Sequence, residues 1–159
     1  MNSREITRIA SHHLHTRKYF GGCVPADCLP LHISSYPKFF ICNSDEWYRQ
    51  GTHWLLVMFK SATDPPEFFD SFARAPDYYN KLIKAYLVAN SQNGFYTISG
   101  QQVQPDYSSY CGYYCLTVAD YFSQGYSLAN IMTLFDTTAL NHNDELVQKY
   151  VDIHMRRLH

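Results

Sequence analysis

The stretch QPDYSSYCGYYCLTVADYF, residues 104–122, carries the strongest structural signal in the chain. From Cys111 onward its apolar residues recur at helical spacing, and Gly125 follows as a helix stop. The pattern predicts a helix over 111–122 with a core-facing side formed by Cys111, Cys115, Val118, Ala119 and Phe122. Cys111 would then lie in the first turn, where the helix dipole stabilises a thiolate.

Three further polar groups stand at positions that suit chemistry with this thiol. His53 precedes Trp54, Asp70 lies within FFDSF at 68–72, and Gln104 lies seven positions before Cys111. A thiol, an imidazole, a carboxylate and a side-chain amide are the groups that a thiol acyl-transfer site uses. Taken singly, a buried cysteine or histidine is more often a packing residue, so the inference depends on the complete set.

The segments around His53 and Asp70 favour two neighbouring strands. The apolar run 54–59 is typical of a strand buried on both faces, and residues 67–72 follow after a proline-containing loop. A hairpin of this kind would bring Asp70 next to His53. The carboxylate would then fix the tautomer of the imidazole and stabilise its charged form.

The remaining patterns predict helices around a small sheet. We expect helices after Ser3, Pro76 and Ser127 and from Asn143 or Asp144, and a short strand over 95–98 that leads to Gln104. The fold class is therefore α+β, with a small, mostly antiparallel sheet flanked by helices. The length and the 46% hydrophobic content indicate one domain over 1–159.

The composition limits which binding partners and which cellular compartment we expect. The formal net charge is -1 and the sequence has no block of five or more Lys or Arg, so nothing points to nucleic acid. The chain has 5 cysteines, an odd number, and we find neither an apolar leader nor an apolar segment of membrane-spanning length. This combination favours a reducing compartment inside a cell and argues against secretion or a membrane location. No cofactor is expected. No metal is expected either, because the spacing of the remaining cysteines and histidines matches no standard zinc module: His12, His13, His15, Cys23, Cys28 and His32.

The motifs GTHW at 51–54, FFDSF at 68–72 and QPDYSSYCG at 104–112 resemble those of the adenovirus-type cysteine proteases, including their versions in large DNA viruses and virus-like transposons. The order His, acid, Gln, Cys and both spacings are similar to theirs, over roughly residues 15–122. The resemblance implies a papain-like protease core in which Cys111 is the nucleophile, His53 the base and Asp70 its orienting acid. Gln104 would hold the oxyanion together with the Cys111 N–H.

The resemblance also implies a biological setting. The substrates would be viral structural precursors cut next to glycine, and the protein would act in the virion or in the host nucleus or cytoplasm. Adenoviral enzymes bind an activating peptide through a disulfide, but residues 90–97, the corresponding stretch, contain no cysteine. This departure argues against a disulfide-linked activator, and a nucleic-acid cofactor is left open.

Three alternatives use the same residues. SUMO-type deconjugating proteases share the order and the Trp after the histidine, but their glutamine usually lies one residue closer to the cysteine than Gln104 does. An acyltransferase of the same clan would keep the Cys, His and acid. A catalytically inert capsid or scaffold module would keep the fold and lose the reactivity of Cys111.

Overall fold

The computed structural model describes residues 1–49 and 51–156, so Gln50 and the last three residues of the expected domain 1–159 lie outside the described part. The helices are α1 (Ser3–His12), α2 (Pro76–Tyr79), α3 (Lys81–Ala89), α4 (Cys111–Ser123), α5 (Leu128–Met132) and α6 (Asn141–Tyr150), which a π-helical turn continues (Val151–Met155). The strands are β1 (Phe20–Val24), β2 (Lys38–Asn43), β3 (Trp54–Phe59), β4 (Glu67–Phe69) and β5 (Thr97–Ile98).

The five strands form one sheet in the order β1-β2-β3-β4-β5. Strand β3 pairs antiparallel with both β2 and β4, whereas the edge strands β1 and β5 pair parallel with their neighbours. A parallel pair needs a crossover connection, and the segment between β4 and β5 supplies one through α2 and α3. The expected α+β class is confirmed, with antiparallel pairing at the centre of the sheet and parallel pairing at its edges.

Strand β3 is apolar throughout because helices cover both faces of the sheet. Leu56 and Met58 face one core, which α1 and α4 complete, while Leu55 and Val57 face a second core closed by α3. All four side chains are fully buried. Because neither face of β3 contacts solvent, no position along the strand favours a polar residue, which explains the unbroken run of apolar residues.

Helix α4 lies on the sheet as the sequence predicts, and its end is a Schellman motif. Gly125 adopts a φ of +94°, a left-handed conformation that glycine reaches without steric cost. The N–H of Gly125 donates to Phe122 O at 2.9 Å, and the N–H of Tyr126 donates to Tyr121 O at 3.2 Å. The longest α-helix of the chain's described part therefore stops where the glycine stands.

The other helices and the last strand differ from expectation in their ends. Asn2 caps α1 in place of Ser3, because its side chain accepts from the Glu5 N–H in a capping box. The helix expected after Pro76 is divided at Asn80, which is extended and caps α3 with its own side chain. The strand expected over 95–98 contains only Thr97–Ile98. No helix among the described residues has the length and apolar character needed to cross a membrane.

The side chain of Asn143 fastens α6 to the segment that leads to the site. Its Nδ2 donates to Val103 O and Asp136 O, and its Oδ1 accepts from the Asp136 N–H, each at 2.8 Å. The residue is 1% exposed, so water cannot replace these bonds easily.

We expect Asn143→Ala to lower the free energy of unfolding by about 2–4 kcal/mol, because three bonds are lost and buried polar groups lose a partner. Urea denaturation would measure the change. Asn141→Ala, at an exposed position of the same helix, is the control and should stay within about 0.5 kcal/mol of the parent. Equal effects of the two variants would contradict this role of Asn143.

Candidate active site

His53 and Asp70 meet at one edge of the β3–β4 pair. His53 immediately precedes β3, Asp70 immediately follows β4, and the antiparallel register places Leu56 opposite Phe69. The two side chains are 7% and 0% exposed, and His53 Nε2 lies 2.6 Å from Asp70 Oδ1. The hairpin expected from the sequence therefore joins the imidazole to the carboxylate directly.

Four donors satisfy the buried Asp70 carboxylate. Oδ1 accepts from His53 Nε2 and from the Phe72 N–H at 3.1 Å. Oδ2 accepts from the Arg74 N–H at 3.0 Å and from the Tyr79 hydroxyl at 2.6 Å. Burial alone would raise the pKa of Asp70, but the bonds from His53 and Tyr79 outweigh it and the pKa is lowered. Asp70 is therefore held as a carboxylate.

Two aromatic rings stack on the His53 imidazole. Phe72 and Tyr79 stack on it with ring centroids 5.0 and 5.2 Å away and interplanar angles of 27° and 29°. Tyr79 thus touches both members of the pair, through its ring on His53 and through its hydroxyl on Asp70. Since Asp70 engages Nε2, the ring presents Nδ1 on its other side.

The Cys111 thiol and the His53 imidazole shift each other's pKa. Burial lowers the pKa of His53, but the hydrogen bond with Asp70 and the influence of the Cys111 thiol prevail and raise it to about 9. Burial raises the pKa of Cys111, but the His53 imidazole and the backbone N–H groups of Trp54 and Gly112 lower it overall. Both directions favour a thiolate beside an imidazolium.

Cys111 and His53 both line a cleft of about 400 Å³. It is lined by Met1, Asn2, Ser3, Asn43, Gly51, Thr52, His53, Trp54, Ser109 and Cys111. Gly112 packs closely against two of these residues, since a Cβ there would lie 3.3 Å from Met1 Sδ and 3.4 Å from Trp54 Cδ1. A second chamber of about 160 Å³ shares Ser3 and Trp54 with the cleft and extends to Trp47, which is 70% exposed.

Gln104 lies behind the cleft and not among its lining residues. It is fully buried, and its Oε1 accepts a hydrogen bond from the Ser71 hydroxyl. Its Nε2 donates to the Ser108 backbone oxygen at 2.9 Å and to Ser108 Oγ at 3.1 Å. Both amide hydrogens are therefore used within the protein in this conformation, and one of them would have to change partner to reach an oxyanion.

The sequence did not single out Ser71 or Tyr79, although both hold predicted site residues. Ser71 follows Asp70 directly, and its hydroxyl holds Gln104 while its backbone oxygen accepts from the Gln104 N–H at 3.1 Å. The FFDSF motif gave no signal for this contact, because Ser71 lies in the turn after β4, where strand alternation no longer sets the direction of a side chain. Tyr79 gave no signal either, because its place depends on how α2 folds back over Asp70.

Comparison with known proteins gives the fold. No family model and no curated protein sequence matches the chain. Among solved structures, the ASFV pS273R protease aligns with a TM-score of 0.59 at 14% identity, over 96% of this chain and 67% of the viral one. A selenomethionine form of the same protease aligns with a TM-score of 0.47 at 19% identity, over 76% and 45%. The chain thus has the fold of a viral protease and spans about two thirds of that protein's length. The comparison does not single out the adenovirus-type group.

Proposed function

We propose that this chain is a cysteine endopeptidase in which Cys111, His53 and Asp70 form the catalytic triad. The observation that carries the proposal is the buried His53–Asp70 hydrogen bond of 2.6 Å, together with the lowered pKa of Cys111, which lines the same cleft as His53. An inert module would have no need for a thiol activated in this way at the wall of an open cleft.

In the proposed reaction, the Cys111 thiolate attacks the carbonyl carbon of the scissile peptide. The His53 imidazolium gives its proton to the leaving amine, the C–N bond breaks, and a thioester with Cys111 remains. His53, now neutral, takes a proton from water, whose oxygen attacks the thioester and releases the acid and the thiolate. Asp70 stays ionised throughout and keeps the ring in the required orientation.

Oxyanion stabilisation in this proposal comes from two donors. The first is the Cys111 N–H: Cys111 begins α4, no side chain caps that helix in the described part of the chain, and this N–H is therefore left for a ligand. The second donor is the Gln104 amide. Because Ser108 accepts both of its hydrogens here, substrate binding would exchange one of these bonds for the oxyanion.

The substrates we propose are polypeptides cut next to glycine, from viral structural precursors in the virion or the host cell. The motif resemblance to adenovirus-type proteases supports this choice, and the cleft with its extension toward Trp47 offers room for an extended chain. A disulfide-linked activating peptide is not part of the proposal, because residues 90–97 lack cysteine. A SUMO-type isopeptidase is the alternative; it would form an adduct with a ubiquitin-like protein that bears a C-terminal electrophile.

Cys111→Ala should lower proteolysis by at least about 10³-fold while leaving the fold intact. The measurement is the appearance of new termini, mapped by mass spectrometry, when the protein is incubated with neighbouring structural proteins. Cys115→Ala, one helical turn further into the core, is the matched control and should retain turnover after correction for any loss of folded protein. Activity of Cys111→Ala close to that of the parent would rule out the assignment.

Alkylation should distinguish Cys111 from the other thiols. At about pH 6.5 we expect iodoacetamide to modify Cys111 at least about tenfold faster than exposed Cys28, because only thiolate reacts and the Cys111 pKa is lowered. Partial desolvation and the Asp27 carboxylate raise the pKa of Cys28. His53→Gln should remove the faster labelling of Cys111.

Proteolysis should fall as the pH rises through about 9, because His53 then loses the proton that it gives to the leaving amine. In the alkylation experiment, equal labelling of Cys111 and Cys28 would favour an inert module.

Substitution of Gln104 tests the second oxyanion donor. Gln104→Ala should lower kcat by about 10²–10³-fold, and Gln104→Glu should do the same while keeping the acceptor for Ser71. Thermal unfolding of both variants separates loss of the donor from loss of folded protein. A decrease below about tenfold in folded Gln104→Glu would mean that Gln104 is not the donor.

A further inference from the structure

A second cluster of ionisable side chains lies outside the catalytic cleft. It joins His13 and His15, at the end of α1 and in the turn after it, to Asp120 on α4. His13 Nε2 and His15 Nδ1 lie 3.0 and 2.9 Å from the same oxygen, Asp120 Oδ1. All three ligand atoms lie within 4.8 Å of one another.

The donor set is one that divalent transition metals use. Two imidazole nitrogens and a carboxylate oxygen are the ligands of three-residue Zn²⁺ sites, which keep a fourth position for water. Ligand atoms around a tetrahedral Zn²⁺ lie ~3.3 Å apart. To seat an ion, the two Asp120 contacts would widen by ~0.3–0.4 Å, and the two ring nitrogens, which lie within 4.8 Å of each other, would take up the same separation. Such a movement is within the reach of His15, whose side chain is 40% exposed.

Charge and outer contacts fit a cation at this place. Asp120 is 1% exposed, and the ion pairs found for it within the described residues are to these two imidazoles, which are neutral unless protonated. A buried carboxylate in such surroundings gains from a divalent ion. The Tyr150 hydroxyl donates to the other oxygen, Oδ2, and so orients the carboxylate with Oδ1 toward the two rings.

The cluster is separate from the catalytic groups. Asp120 lies nine residues after Cys111 on α4, a rise of ~13 Å along the helix. We propose that His13, His15 and Asp120 form a binding site for a divalent transition-metal ion, with Zn²⁺ as the expected occupant. The ion would fasten α1 to α4 and, through Tyr150, to the end of α6.

The test is a calorimetric titration of the metal-free full chain with Zn²⁺ at neutral pH. It is carried out in the Cys111→Ala background, so that the catalytic thiol and His53 do not bind the ion. We expect about one equivalent to bind, and His13→Gln and His15→Gln each to weaken the affinity by at least about tenfold. His12→Gln is the matched control: His12 is exposed, its Nδ1 contacts Arg8 O, and its loss should leave the affinity unchanged.

Two further readouts keep the test decisive. At the same Zn²⁺ concentration, the Tm of the His12→Gln variant should rise more than that of His15→Gln, since stabilisation of the folded state grows with the affinity for the metal. Bound Co²⁺ should show nitrogen and oxygen coordination without absorption from a thiolate. The proposal fails if His15→Gln and His12→Gln bind Zn²⁺ equally, if Cys28→Ser instead abolishes binding, or if the parent binds none.

Discussion

The hydrogen bond between His53 and Asp70 is the contact on which the candidate site depends. A carboxylate that is fully buried must have donors, and Asp70 collects four of them from the turn after β4, from α2 and from the imidazole. This requirement fixes the start of β3 beside the end of β4. It also fixes the ring plane of His53, and therefore the side on which Cys111 must approach.

Asp70 and Ser71, the two residues that follow β4, each position a different part of the candidate site. Asp70 holds His53, while Ser71 holds Gln104 through both its hydroxyl and its backbone oxygen. The two residues after β4 thus set the positions of the proposed base and of the predicted oxyanion donor together. A shift of β4 against β3 would disturb both groups at once, which makes the register of this pair a strict constraint.

Elements that depend on local pattern are the ones the sequence predicts most clearly. The run of β3 and the helix from Cys111 appear where the apolar spacing indicated, because burial on both faces leaves an unbroken signature. The pairing of Asp70 with His53 required only a hairpin. The hydrogen bonds from Gln104 to Ser108 could not be predicted from the sequence, since they depend on the path of an irregular loop. The contact of His13 with Asp120 could not be predicted either, because the two residues lie 107 positions apart and come together only through the packing of α1 on α4.

Met1, which precedes α1, lies at the edge of the cleft. The Met1 backbone oxygen accepts a hydrogen bond from Trp54 Nε1 at 3.1 Å, and its side chain packs close to Gly112 at the edge of the cleft. Any residues fused ahead of Met1 would thus begin at the cleft that Cys111 lines. An affinity tag there would compete with added peptides for space, whereas a glycine-containing cleavage sequence placed there would meet Cys111 at high local concentration and would report the proposed proteolysis without an added substrate.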